Sequence, residues 1–166
     1  DISSRSARWH FVVKYSYPRL IQISNECELH IKRLNSAYNK MQVYMPLSAD
    51  SFLQLNDDEI EHIDQYLFRF AKLQDAIGQR LFKSMLEYLG EVIIGKSFID
   101  IFNKLEQLNI IENYNTWMKL RIVRNELAHE YDNDPEENAS EINKIYSMKD
   151  NLESYYFDVK KYLEKM

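Results

Sequence analysis

Apolar residues recur along the chain at steps of three and four, the spacing that puts them on one stripe of an α-helix. The first seam runs through Leu20, Ile23, Cys27, Ile31, Leu34, Tyr38, Met41 and Met45 without a miss and stops at Pro46. It predicts a long helix from Leu20, then a connector over Pro46 to Asn56. Asn56 ahead of Asp57, Asp58 and Glu59 reads as a helix N-cap with acid in the first turn, where the helix dipole favours it. The next seam is Ile60, Ile63, Leu67, Phe70, Ile77 and Leu81, continuing to Met85 and Leu89, with Gln74 out of character and Gly78 as the position for a bend.

Gly90 and Gly95 punctuate the following stretch, and Ser97 with Asp100 reads as a capping pair opening a brief helix, Phe98 to Leu108. A further helix from about Asn113 carries Trp117, Leu120, Val123 and Leu127. Asp134-Pro135-Glu136-Glu137 is a helix start: a capping side chain, a proline in the first turn, then two acids near the positive end. The last seam, Ile142, Ile145, Lys149, Leu152, Tyr156, Val159 and Leu163, predicts one final helix with Lys149 its single polar interruption. No internal repeat or low-complexity tract interrupts this order. The expectation is an all-α, up-and-down bundle of four long helices plus one or two short ones. Residues 19–166 form one domain, and residues 1–18 an N-terminal extension that need not be ordered.

Composition narrows the alternatives. The 166 residues include only 3 Gly and 3 Pro, against roughly 12% combined in ordinary chains. Doubly wound α/β folds, sandwiches and barrels need more turns than that supplies. Lys and Arg number 21 and Asp and Glu 26, a net charge of −5, so any nucleic-acid contact is local rather than spread over the surface. Cys27 is the only cysteine, which excludes an internal disulfide and a zinc cluster of several thiolates and points to a reducing cytoplasm. No apolar run reaches the length of a membrane span, and the first residues lack the basic-then-apolar order of a signal peptide.

Gly90-Glu91-Val92-Ile93-Ile94-Gly95-Lys96-Ser97 matches the phosphate-loop pattern G-x-x-x-x-G-K-S. That pattern binds phosphate only between a strand and a helix at the edge of a parallel sheet. Here Arg80 to Leu89 have helical spacing, and Val92, Ile93 and Ile94 are side chains to bury rather than a loop around a nucleotide. The segment reads as an interhelical turn.

Arg124-Asn125-Glu126-Leu127-Ala128-His129-Glu130-Tyr131 carries the candidate chemistry. A guanidinium holds phosphate oxygens in a fork and an imidazole passes a proton near neutral pH, which suits metal-free phosphodiester cleavage. At about 100° per residue, Asn125 and His129 stack on one face of a helix, while Arg124 and His129 lie about 140° apart. Either the helix ends near His129 and turns back, or a second copy completes the site across a symmetry axis. The same residues also suit an ordinary helix end: a solvated Arg, a His near the C-terminus, a Tyr on a core rim.

Arg124-Asn125-x-x-x-His129-x-Tyr131, late in an all-α chain and followed by one more long helix, resembles the R-x4-6-H signature of the HEPN superfamily. In its R-x4-H-x-Tyr form it is similar to the HepT-like toxins of bacterial and archaeal toxin–antitoxin pairs. The resemblance covers Leu20 to Met166, and Asp64-Gln65-Tyr66-Leu67-Phe68-Arg69-Phe70 is similar to that family's D-x-x-x-x-R-F helix. It implies a metal-independent endoribonuclease acting as a homodimer, with Arg and His of both protomers lining a cleft at the two-fold axis. His129 would then be the acid/base group and Arg124 the phosphate binder, with Asn125 as polar support. Tyr131 matches the position that a minimal nucleotidyltransferase antitoxin adenylylates, which would put negative charge in the cleft and repel RNA. The superfamily also contains non-catalytic binding subunits that partner such nucleotidyltransferases, so fold does not settle activity.

Charge around the motif is mixed. From Glu130 to Glu141 there are six acids, Glu130, Asp132, Asp134, Glu136, Glu137 and Glu141, and no Lys or Arg, whereas phosphate binding needs positive charge. Half of that run belongs to the helix start at Asp134. Lys119 and Arg121 are the candidates for a positive, RNA-binding rim, with Arg69, Lys72, Arg80 and Lys83 further away. His10, His30 and His62 have no ligand-spaced partner, and Cys27 with His30 is a lone C-x-x-H, so no metal or cofactor is expected.

Overall fold

The computed structural model describes residues 2–128 and 134–166, with side chains from 17 to 126 and from 134 onward. Among the described residues there is no strand, and the architecture is the expected all-α helical bundle. In chain order the helices are α1 (Ile2–Met41), α2 (Ala49–Leu53), α3 (Asp57–Asp75), α4 (Phe82–Tyr88), α5 (Phe98–Gln107), α6 (Tyr114–Ala128), α7 (Pro135–Tyr146) and α8 (Lys149–Glu164), with a π-helical segment, Ala76–Leu81, joining α3 to α4. No helix among the described residues is long and apolar enough to cross a membrane.

Residue contacts divide the chain into two units. The first comprises Asp1–Leu29, Gln74–Glu112 and Tyr155–Met166. Its core is built on Leu20, Ile23 and Cys27 of α1, on Ile77 and Leu81 of the π segment, and on an aromatic cluster. In that cluster Phe82, Phe102 and Tyr155 meet edge-on at centroid distances of 6.0, 6.3 and 6.2 Å. At its surface Arg80 grips Glu26 through two hydrogen bonds of 2.6 Å. Burial pushes the neighbouring Cys27 thiol up to about 12, so it stays a protonated, inert core residue.

The second unit comprises His30–Leu73 and Asn113–Ser154. Leu34, Met41, Tyr66, Phe70, Leu120 and Leu152 are completely buried in it, and α2 and α6 both pack on α7. The Asn143 side chain of α7 pairs with both backbone groups of Leu47, accepting from its N–H at 2.7 Å and donating to its carbonyl at 2.8 Å.

Several helix starts lie where the local chemistry predicts. Asn56 accepts from the Glu59 N–H at 2.8 Å while the Glu59 carboxylate accepts from the Asn56 N–H at 3.0 Å, a full capping box. Ser97 and Asp100 make the same reciprocal pair, and Asp134 accepts from the Glu136 N–H at 3.1 Å.

Three expectations change. The connector after Pro46 contains a short helix, α2, held by a capping box of Ser48 and Ser51. The bend expected at Gly78 is a widened turn in which the Phe82 N–H reaches five residues back to the Ile77 carbonyl. The single final helix is two. Tyr66 of α3 donates its hydroxyl to the Ile145 carbonyl at 2.8 Å and lies 3.2 Å from that of Tyr146, the acceptors a continuous helix would need for its own N–H groups. The Ile145 carbonyl also accepts from the Met148 N–H at 3.2 Å, and the chain turns at Ser147 and Met148 although the apolar step of three and four runs straight through.

Candidate active site

Helix α6 carries the described part of the motif. It starts where Asn113, at φ 70°, lets its carbonyl accept from the Thr116 and Trp117 N–H groups at 3.1 and 3.2 Å. Asn tolerates that left-handed backbone better than most residues. Trp117, Leu120 and Val123 form the buried side, while Lys119, Arg121, Ile122 and Asn125 are exposed.

Arg124 is half-buried, about 40° around the helix axis from Leu120, so its stem runs along the edge of the core. Arg121 projects about 60° from Arg124, and Asn125 about 40° further round. These three polar side chains share one face, with two guanidiniums at i and i+3. Lys119 lies about 160° from Arg121. The expected rim of Lys119 and Arg121 is therefore split: Arg121 accompanies Arg124 and Lys119 faces away. Glu126, also on the far side, pairs at 3.8 Å with Lys144 of α7.

His129 and Tyr131 lie outside the described residues, as do Glu130 and Asp132 of the acid run. Of the remaining acids, Asp134, Glu136 and Glu137 are exposed in the cap and first turn of α7, as expected for a helix start.

Two of the other candidate cations have partners of their own. Arg80 is held by Glu26, whose hydrogen bond keeps its guanidinium firmly protonated. Arg69 lies 3.0 Å from His30 Nδ1, and because a guanidinium only donates, Nδ1 accepts and the ring proton sits on Nε2. His30 is thus a partnered, buried histidine of the second unit. Lys72 and Arg69 both lie over the Phe68 ring, at 5.5 and 5.4 Å.

The phosphate-loop lookalike is a helix cap. Gly90, at φ 84°, takes the left-handed position after α4; its N–H reaches the Glu87 carbonyl and the Glu91 N–H the Leu86 carbonyl, both at 2.9 Å. Those donors are engaged, and a helix rather than a strand precedes them. The expectation that Val92 and Ile94 would be buried is wrong: they are 58% and 89% exposed.

Sequence reasoning missed one polar cluster in the second unit. Lys149, the interruption of the last seam, is buried and donates to Glu153 at 3.1 Å and to Asp150 at 2.9 Å, with its ammonium 4.9 Å from the centre of the Tyr38 ring. Asn35 donates to the other Glu153 oxygen at 2.7 Å. Burial works against the charge on Lys149, but the bonds to Asp150 and Glu153 outweigh it and hold its pKa above the ordinary lysine value. Burial also pushes Tyr146 up to about 12 and Tyr66 higher still. The signal was available: a Lys at a core position of a helical seam demands an acid one turn away. Among the described residues no group of three or more His, Cys, Asp or Glu is arranged to hold a metal ion.

The chain matches no family model, no curated protein and no solved structure.

Proposed function

We propose that the chain is a HEPN-type, HepT-like endoribonuclease, the cytoplasmic toxin of a toxin–antitoxin pair, cleaving RNA without a metal in a cleft shared by two copies. The observation that supports this reading is that Arg124 and Asn125 lie on α6 of an all-α chain, with Arg121 on the same side of the helix, and that His129 and Tyr131 follow them in the sequence at the R-x4-H-x-Tyr spacing. A cleft shared by two copies is what the resemblance implies, with one phosphate meeting the Arg of one protomer and the His of the other.

In this mechanism His129 accepts the 2′-OH proton as the 2′ oxygen bonds to phosphorus. The bond from phosphorus to the 5′ oxygen breaks, and His129 of the second protomer protonates that leaving oxygen. Arg124 holds the phosphate and the charge that develops on it, and Arg121 raises the local positive potential. A cognate nucleotidyltransferase antitoxin would silence the site by adenylylating Tyr131.

The test is cleavage of labelled RNA by the purified protein. His129→Ala lowers the rate by about 10²-fold or more, and Arg124→Ala brings cleavage to background, both with unchanged far-UV circular dichroism. Arg124→Lys, which keeps the charge but loses the fork, is impaired as well. Retained cleavage in either alanine variant, or loss of activity on adding a chelator, sinks the mechanism.

One observation favours a second reading, a non-catalytic subunit that binds a nucleotidyltransferase: the acid-rich sequence from Glu130 to Glu141 beside the motif. Incubation with such an enzyme and labelled ATP separates the two. Label on Tyr131 in a protein that never cleaves RNA supports the binding subunit.

A further inference from the structure

Within the second unit, Phe52 of α2, Leu55 just after it, Ile60, Ile63 and Asp64 of α3 and Ile142 of α7 enclose an open groove of about 220 Å³. Ile63 and Ile142 are almost fully buried and form its floor, whereas Ile60 on the rim is 42% exposed. Apolar cavities of roughly 150 Å³ admit a benzene-sized group, so this groove has room for one bulky side chain.

Along the α2 and α3 side of the groove the charge has a single sign. From Met41 to Phe68 the sequence holds six acids, Asp50, Asp57, Asp58, Glu59, Glu61 and Asp64, and no Lys or Arg. Glu59 is engaged in the cap of α3, while Asp57 and Asp64 are exposed and share the face of Ile60 at −3 and +4 along the helix.

We propose that this groove is the docking site for a basic amphipathic helix of a protein partner, which seats one large apolar side chain against Ile60 and Ile142 and frames it with Lys or Arg facing Asp57 and Asp64. RNA is disfavoured, since its phosphates would meet uncompensated carboxylates. A second copy of this chain is disfavoured too, because a two-fold contact would set the same acidic rim against itself. Among the described residues there is no sheet edge to pair an extended peptide, and a groove lined by Leu and Ile with a single Phe suits the apolar face of a helix better than a polyproline segment, which docks between aromatic rings.

The test uses the intact protein and three sets of short helical peptides that share a Leu or Phe anchor pair at i and i+4 and differ only in the flanking residues, Lys, Gln or Glu. The Lys-framed set binds best, measured by fluorescence anisotropy, and weakens severalfold as salt rises from about 0.05 to 0.5 M. Ile60→Lys and the pair Asp57→Lys/Asp64→Lys each weaken it by about tenfold or more, through like charge at the rim. All three positions are exposed, and circular dichroism checks the fold; the charge pair keeps the test decisive should Ile60→Lys misfold. Equal binding of the Glu-framed set, or unchanged affinity in both variants, overturns the proposal. So does displacement of the peptide by an RNA oligonucleotide, or self-association of the protein that Ile60→Lys abolishes.

Discussion

Glu153→Gln removes one negative charge from the buried Lys149 cluster while keeping the shape of the side chain and an oxygen to accept from Asn35. Breaking one side of a buried ion pair costs about 3–5 kcal/mol. Here Lys149 keeps its 2.9 Å bond to Asp150 and the Tyr38 ring at 4.9 Å, and a desolvated cation–π contact is worth about 2 kcal/mol. The expected loss at pH 7 is therefore about 1–3 kcal/mol. Urea unfolding followed by circular dichroism and tryptophan fluorescence measures it. The pH dependence gives a second readout. A lysine whose folded pKa is raised contributes stability that is fully present below its ordinary value of 10.5 and disappears as the pH climbs through the raised one. The gap between wild type and variant is thus constant near neutrality and closes above about pH 10.5. Adding Lys149→Met to Glu153→Gln recovers most of the loss, because no uncompensated charge then remains buried. A loss under about 0.5 kcal/mol, the worth of an exposed pair, or a double variant no more stable than the single one, refutes the reasoning.

Two further substitutions probe the segments flanking the candidate site. Tyr66→Phe deletes the hydroxyl that donates to the Ile145 carbonyl beside the Met148 N–H, and should cost about 1 kcal/mol in a thermal or urea melt; an unchanged midpoint would mean that the Met148 N–H alone satisfies that carbonyl. Asp134→Ala removes the cap of α7 and should cost about 1 kcal/mol, whereas Asp134→Asn, which caps as well, should be close to neutral in the same assay.

Much of the fold was legible because its signals are local. The boxes at Asn56 and Ser97, and the acid-proline start at Asp134, each involve residues no more than three apart, and all three open helices as expected. The bundle class followed from the three-and-four seams and the scarcity of glycine and proline. Less visible were features with distant causes. The wide turn at Ala76–Leu81 leaves the seam spacing intact, so periodicity alone shows only a glycine in a helix. Val92 and Ile94 are apolar yet exposed, which hydropathy alone does not reveal. At the candidate site the sequence places Arg124 and Asn125 on α6, but pairing Lys119 with Arg121 overlooks the helix that separates them. Of the Lys149 cluster, Glu153 one turn away was legible, whereas Asn35, 118 residues from Glu153, lies beyond any motif.

The turn between α7 and α8 draws on both near and distant donors. Ser147 donates to the Lys144 carbonyl at 2.6 Å and the Met148 N–H to the Ile145 carbonyl at 3.2 Å. Tyr66 reaches that same carbonyl from 79 residues upstream, so its contact closes a long loop and carries an entropy cost that the local bonds do not. The end of α7 is thereby tied to a side chain of α3 within the second unit.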